Sequence, residues 1–321
     1  MRNPKSAALK TRGRVDRWLF APTNRQRRTR TGMLFVLPCA LIMLLMMVVP
    51  LIRTVIFAFS DVKLPNFETS YAGLKNFKDV LAMPEFPDVV RNTVVWIIGT
   101  TFLRVALGFV AAFMLDGRSR LIRTLRVVAL LPWTVPSIVA ANSWRWMLQG
   151  DFGLINGILE NIGLGALAQP WLANASTAMP TVMIAFMWSG FPFVMMMILA
   201  GIQNIPVELY ESSSIDGANR FQQFLFVTLP SLKSVVVMVI VLEAINALNA
   251  FDLLFVLTGG GPGTSSEILG LMIYRLGFTL FDFSHASAAS VLLIGSALIC
   301  FLFYAPTQMV RRHKKARRHS S

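Results

Sequence analysis

Six long apolar stretches, set apart by shorter polar segments, dominate the chain. The first, about Met33–Phe59, has no charge as far as Ile52, and Pro50 is placed to bend its outer end. The second, about Thr93–Leu115, carries Arg104. The third, about Val127–Leu148, holds Pro132, Pro136 and the cluster Trp144-Arg145-Trp146 near its outer end. The fourth, about Ala178–Ile202, is predicted to be interrupted at Gly190 and Pro192. The fifth, about Val235–Leu257, contains Glu243, Asn246, Asn249 and Asp252, and the sixth runs from about Ala286 to Val310. Roughly 20 apolar residues, rising 1.5 Å each, cross a hydrocarbon core about 30 Å thick. The pattern therefore predicts an all-α, polytopic membrane protein with six transmembrane helices. An outer-membrane barrel would need alternating strands, and these runs do not alternate.

Composition agrees. The chain is 55% hydrophobic and 14% charged, against about 25% charged in ordinary soluble domains. The net charge of +14 sits in the tails: residues 1–32 hold ten Lys/Arg against Asp16, and residues 311–321 hold six with no acid. Basic tails can bind nucleic acid, but flanking spans they read as topology signals, so no nucleic-acid partner is expected. With the N-terminus in the cytoplasm, 22 Lys/Arg fall inside and only Lys63, Lys75, Lys78, Arg91 and Arg275 fall in outer loops. Both termini and segment 203–233 are thereby predicted to be cytoplasmic. The expected organisation is a basic tail at 1–32, a membrane domain at 33–310 in contact with lipid, and a basic tail at 311–321.

Smaller features add little. Cys39 and Cys300 each lie in an apolar run and read as buried hydrophobes rather than a disulfide framework. The basic leader lacks a small-residue cleavage site, so the first span is expected to stay as an anchor. The outer segments 60–92 and 148–177 are too short for an independent core. In the third outer segment, the apolar run Ile268–Phe281 is broken by Arg275 and fits an interfacial or re-entrant piece.

Between the fourth and fifth spans, residues 205–230 form a polar island centred on a turn. Pro206 suits the first turn of a helix. Glu208 and Glu211 lie three apart near that helix's N-terminal end, where negative charge is favoured. Ser212-Ser213-Ser214 keeps the following surface low, and Asp216-Gly217 supplies a turn in which glycine takes a positive φ. A second short helix is predicted with Phe221, Phe224, Leu225 and Leu229 on one face, ended by Pro230. Pattern alone fits either a docking element for another protein or an interfacial connector whose acids face water.

The spacing here resembles a known family. Glu211-Ser212-Ser213, three residues, Gly217, nine residues, then Val227-Thr228-Leu229-Pro230 is similar to the signature of binding-protein-dependent ABC importer permeases. That signature reads Glu-Ala-Ala, three residues, Gly, nine residues, Ile-x-Leu-Pro. Ile205-Pro206-x-Glu208-Leu209-Tyr210 and Ile215-Asp216-Gly217-Ala218 look like the carbohydrate-uptake, maltose-type branch. So do Tyr71-x-Gly73-Leu74-x-Asn76-Phe77 and Thr258-Gly259-Gly260-Gly261-Pro262. Ser212, Ser213 and Val227 depart from the pattern but keep small or β-branched volume, and the maltose permease's large outer insertion is absent. The resemblance implies a permease of the bacterial inner membrane that imports a sugar. It also implies a second permease subunit, a cytoplasmic ATPase dimer that holds ATP and Mg, and an extracytoplasmic substrate-binding protein. No cofactor is expected on this chain itself. Carried over by position, Glu208, Glu211, Ser212, Ser213, Asp216, Gly217, Ala218, Leu229 and Pro230 would contact or shape the ATPase-coupling loop.

Charged and amide groups at bilayer depth cost about 2.5–3.5 kcal/mol for a central Arg or Asp, so they usually face a bundle interior or a wet cavity. Glu243, Asn246, Asn249 and Asp252 recur every three residues and predict one drifting stripe on the fifth helix. Such groups can hydrogen-bond sugar hydroxyls or form a seam between helices; Asp252, near the outer interface, fits a structural or gate-lining role. Arg104 could partner Glu243, and Arg145 could partner Asp252. Trp188 lies deep enough to offer a flat face to a sugar, whereas Trp144 and Trp146 read as interface anchors.

No chemistry of bond-making is apparent. The glycine-rich stretch 259–266 lacks the lysine of a phosphate-binding loop. His285, His313 and His319 have no metal-ligand spacing, and Asn174-Ala175-Ser176 is a sequon only by pattern. Rival readings are a permease for a polyol or glycerophosphoester, or an ion-coupled secondary transporter. The latter would show inverted halves with matched broken helices. An intramembrane enzyme would need a nucleophile–base or metal set.

Overall fold

The computed structural model describes residues 24–117 and 119–298. Residues 1–23 of the N-terminal tail, Arg118, the predicted sixth span from residue 299 onward with Cys300, and the whole C-terminal tail with His313 and His319 lie outside them. By packing, the chain falls into two units that divide between Ile56 and Phe57. Helix α1 (Asn24–Ala58) belongs to the first as far as Ile56 and runs continuously through Pro38 and Pro50.

The second unit opens on a small hairpin, β1 (Ser60–Lys63) and β2 (Glu68–Tyr71), antiparallel with Ser60 opposite Tyr71. It is the one sheet among the described residues of an otherwise helical protein. Next come α2 (Lys75–Leu81) and α3 (Phe86–Met114). Within the second unit, the Asn76 amide donates to the carbonyls of Ala58 (3.1 Å) and Ser60 (2.9 Å), fixing the backbone that leads into the hairpin. Phe77 packs on Phe59 with ring centroids 5.0 Å apart. Two residues of the Tyr71–Phe77 motif are thus a helix-end clasp.

The predicted third span is a broken pair: α4 (Arg120–Thr134) and α5 (Ser137–Met147) meet at 95°. The cause is local. Val135 precedes Pro136, which drives it out of the α region, and its backbone is extended at φ −78°, ψ 126°. After α6 (Leu154–Asn161), α7 (Ala175–Gln203) continues without a break through Gly190 and Pro192. The predicted interruption does not occur, because α7 is gripped on several sides and a proline's lost hydrogen bond is tolerated in a packed membrane helix.

Segment 203–233 contains α8 (Val207–Ile215) and α9 (Arg220–Gln223). Pro206 caps α8 rather than lying inside it. Pro230 ends nothing: α9 passes through a π-turn at Phe224–Thr228 into α10 (Leu229–Leu248), with Pro230 in the first turn of α10. A proline cannot donate and crowds the carbonyl four residues back, so the wider π-turn before it lets the helix continue. The π-turn also changes the phase of the predicted apolar face. Phe224 packs edge-on against Phe113 with centroids 5.2 Å apart, while Phe221 is exposed.

The fifth span therefore starts earlier and stops earlier than its hydrophobicity predicts. Arg220–Leu248 forms one apolar run of 29 residues; Asn249 then caps α10, and a separate α11 (Asp252–Leu257) follows. The run Ile268–Phe281 forms α12 (Leu269–Tyr274) and a π-turn, and α13 spans Phe283–Leu298. Among the described residues, four helical runs are long and apolar enough to cross a membrane, or five with the bent pair. The α13 helix reaches the end of the described residues, where the predicted sixth span would continue.

Three apolar clusters hold the second unit. At the α8 end, Val194, Met195, Ile198 and Ile202 of α7 pack with Ala112, Leu232 and Val239. In the middle, Trp96, Val182, Met183 and Phe186 meet Leu253, Leu254 and Leu257. At the opposite end, Val80 and Val89 meet Met272, Leu276 and Ala289. Helix α3 packs chiefly on α7. Its inward positions Val89, Asn92, Trp96, Thr100, Arg104, Gly108 and Ala112 recur every three or four residues, the spacing of one helical face.

Candidate functional site

Arg104 stands at the centre of this packing and is 4% exposed. Its Nη1 donates to Glu243 Oε2 of α10 at 2.8 Å. Nε and Nη2 both donate to the Phe186 carbonyl, at 2.9 and 2.6 Å, and Nη2 also reaches Ser189 Oγ at 3.2 Å. The guanidinium lies 3.4 Å from the centroid of the Phe186 ring, a cation–π contact. One side chain thus ties α3, α7 and α10 together. Gly190 makes this possible: a Cβ there would fall 2.0 Å from Arg104 Cζ. The glycine that the sequence suggests as a break is a clearance for a cation.

Above the pair lies a cavity of about 240 Å³. Glu243, Asn246, Asn249 and Asp252 all line it, together with Arg104. The stripe does not come from one straight helix. Asn249 is the cap of α10, donating back to the Ile245 carbonyl at 2.9 Å, and Asp252 begins α11. The break turns both toward the space that Glu243 and Asn246 face. Trp96 secures it by donating from Nε1 to the Ala247 carbonyl at 3.0 Å.

Glu243 is 1% exposed, and while Oε2 is engaged by Arg104, Oε1 has no hydrogen-bond partner. Buried carboxylate oxygens are costly to leave unpaired, so this atom marks where a donor is wanted.

Trp188 is not part of this lining. It packs edge-on against Trp144, centroids 6.0 Å apart, and supports α5 instead. The aromatic residues at the cavity are Trp133, Phe186, Phe193 and Phe251. Hydropathy hides Trp133 because a straight third span would carry it elsewhere; the Pro132 and Pro136 pair is the signal for the bend. Arg145 reaches the Val256 carbonyl at 3.4 Å and does not pair with Asp252.

The α8–α9 turn is built differently, with its polar side outward. Glu208, Glu211, Ser212, Asp216 and Gly217 are exposed, and Ile215 is 87% exposed at the tip. Ser213 and Ser214 donate their hydroxyls to the Tyr210 carbonyl at 2.8 Å each, and Ser212 to that of Leu209 at 3.2 Å. The hydroxyls fold onto their own helix, so the serines present nearly the surface alanines would. Gly217 takes φ +81°, a conformation that costs other residues about 1–2 kcal/mol. The Ala218 N–H closes α8 on the Ser213 carbonyl at 2.9 Å.

Asn219 and Gln222 form a reciprocal capping box that starts α9. Gln223 Nε2 donates to Ser214 Oγ at 2.8 Å, and the hydroxyls of Tyr210 and Thr228 meet at 2.9 Å. Thr228, the residue before Leu229-Pro230, is buried. The turn is therefore cross-braced to the root of α10, the helix that bears Glu243. Sequence reasoning leaves out the Tyr210–Thr228 brace, although Thr228 lies inside the motif.

Residues 104–315 match the family model described as the binding-protein-dependent transport system inner membrane component. The trehalose/maltose transport system permease protein of Thermococcus litoralis is 35% identical over 89% of this chain and 96% of its own length. The sulfoquinovosyl glycerol transport system permease protein of Agrobacterium fabrum is 28% identical over 85% and 88%. In fold, the chain is similar to a subunit of a bacterial ABC transporter involved in importing the acidic polysaccharide alginate. The TM-score is 0.77 at 23% identity, over 89% of this chain and 96% of that one. The chain, with the bundle, the cavity and the braced turn just described, belongs to the family of inner membrane components of binding-protein-dependent transport systems.

Proposed function

We propose that this chain is a permease subunit of an ABC importer for sugars. It forms half of the translocation path and couples that path to ATP hydrolysis on another chain. The observation that carries the reading is the cavity between α3, α7 and α10. It sets two carboxylates, two amides and aromatic faces together, the mixture that hydrogen-bonds hydroxyls and covers the apolar face of a sugar ring. Family membership and the full-length likeness to a trehalose/maltose permease support the same substrate class. In this reading both termini and the α8–α9 turn lie in the cytoplasm, where a dimeric ATPase binds ATP and Mg and grips the turn. A second, similar permease completes the path, and a substrate-binding protein delivers sugar at the opposite face.

The test starts from the complex purified with its native partners, in which saccharides are screened for stimulation of ATP hydrolysis. A neutral hydrogen bond contributes about 1 kcal/mol, so Asn246→Ala and Asn249→Ala should each slow uptake of the stimulating sugar about five-fold. The pair should slow it roughly thirty-fold. Unchanged uptake in both variants would remove the cavity from the path, and hydrolysis indifferent to every saccharide would contradict the sugar reading.

A further inference from the structure

The charges that line the cavity are unequal. Arg104 is the one cation in the lining, against Glu243 and Asp252. All three guanidinium nitrogens of Arg104 are already engaged within the protein. Glu243 keeps Oε1 unpartnered, and Asp252 is exposed with no ion pair among the described residues. What the cavity offers an incoming solute is thus two carboxylates, two amides and aromatic faces, with no spare positive charge. Carboxylate oxygens accept hydrogen bonds and cannot donate them. Hydroxyl groups satisfy them, whereas a uronate, phosphate or sulfonate is repelled by them.

We infer that this cavity selects neutral, hydroxyl-donating saccharides and rejects acidic ones, with Glu243 and Asp252 as the discriminating groups. The inference rests on the sugar-permease reading and narrows it, setting aside glycerophosphoesters and uronate oligosaccharides as cargo. Discrimination here is separate from whatever a substrate-binding protein contributes, because it acts on solute already inside the membrane.

The probes are galactobiose and digalacturonate, which differ only in oxidation at C6, with maltose as a second neutral sugar. Binding is measured by saturation-transfer NMR and tryptophan fluorescence on the full chain with its co-purified permease and ATPase subunits in nanodiscs, without binding protein. The neutral sugars should bind at least ten-fold more tightly than digalacturonate, about 1.4 kcal/mol. Asp252→Asn should narrow that gap at least three-fold; this variant avoids stranding Arg104, as a Glu243 substitution would. Equal binding of galactobiose and digalacturonate, or a gap unmoved by Asp252→Asn, would overturn the inference and leave the sugar reading standing. Failure of every saccharide to bind would overturn both.

Discussion

Arg104→Met should lower the stability of the folded chain by about 3–5 kcal/mol, the usual consequence of removing one partner from a buried ion pair. Glu243 would then keep a carboxylate 1% exposed with neither oxygen satisfied, and the clamp on the Phe186 carbonyl would be gone. The double variant Arg104→Met/Glu243→Met should recover most of the stability, since apolar side chains of similar volume often replace a buried pair at little cost. Reversible unfolding of the two single variants and the double variant in mild detergent gives the coupling energy directly. A single variant as stable as the parent would show that the 2.8 Å contact holds nothing together. The double variant should still fail in uptake, because the cavity floor would have lost its polar groups.

Gly217→Leu should act in the opposite way, leaving the fold nearly intact and abolishing coupled transport. The glycine sits at φ +81°, and a Cβ there would meet no atom of the chain within 4 Å. The internal cost is therefore only the backbone term of about 1–2 kcal/mol, at an exposed turn away from the three clusters. What a large side chain would disturb is the docking proposed for this turn and the register of α8 against α9. Membrane insertion and subunit assembly should be preserved, while sugar-stimulated ATP hydrolysis in the reconstituted complex falls more than ten-fold. Gly217→Asn should keep most activity, because asparagine tolerates the left-handed region. Full stimulation in the leucine variant would mean that the turn is only a connector.

The sequence states the apolar spans, the helix–turn–helix and the polar stripe openly, and it hides how they bend. Hydropathy averages over a window, so it cannot see that Val135 must leave the helix before Pro136, or that α10 stops at Leu248 while apolar residues continue. Both misreadings matter for the site: the first bend brings Trp133 to the cavity, and the second turns Asn249 and Asp252 into it. Prolines mislead in the other direction. Pro192 and Pro230 look like breaks, yet α7 is braced by its neighbours and a π-turn makes room before Pro230. The Arg104–Glu243 pair is legible because two opposite charges within apolar spans have few ways to be satisfied. The Arg145–Asp252 pair is suggested by the same logic and does not form, since Arg145 has a carbonyl within reach at Val256. Trp188 shows the limit of position along a span as a guide: it packs on another tryptophan rather than on the cavity.

Site-directed crosslinking of the α8 surface tests the whole account most directly. With Cys39 and Cys300 replaced by alanine, Ser212→Cys and, separately, Asp216→Cys would be treated with a short bifunctional maleimide in native membranes. The account predicts one dominant adduct at both positions, with a chain that binds ATP, strengthened or weakened by nucleotide. Adducts only with lipid-embedded neighbours, or none at all on α8 while control cysteines elsewhere react, would contradict it.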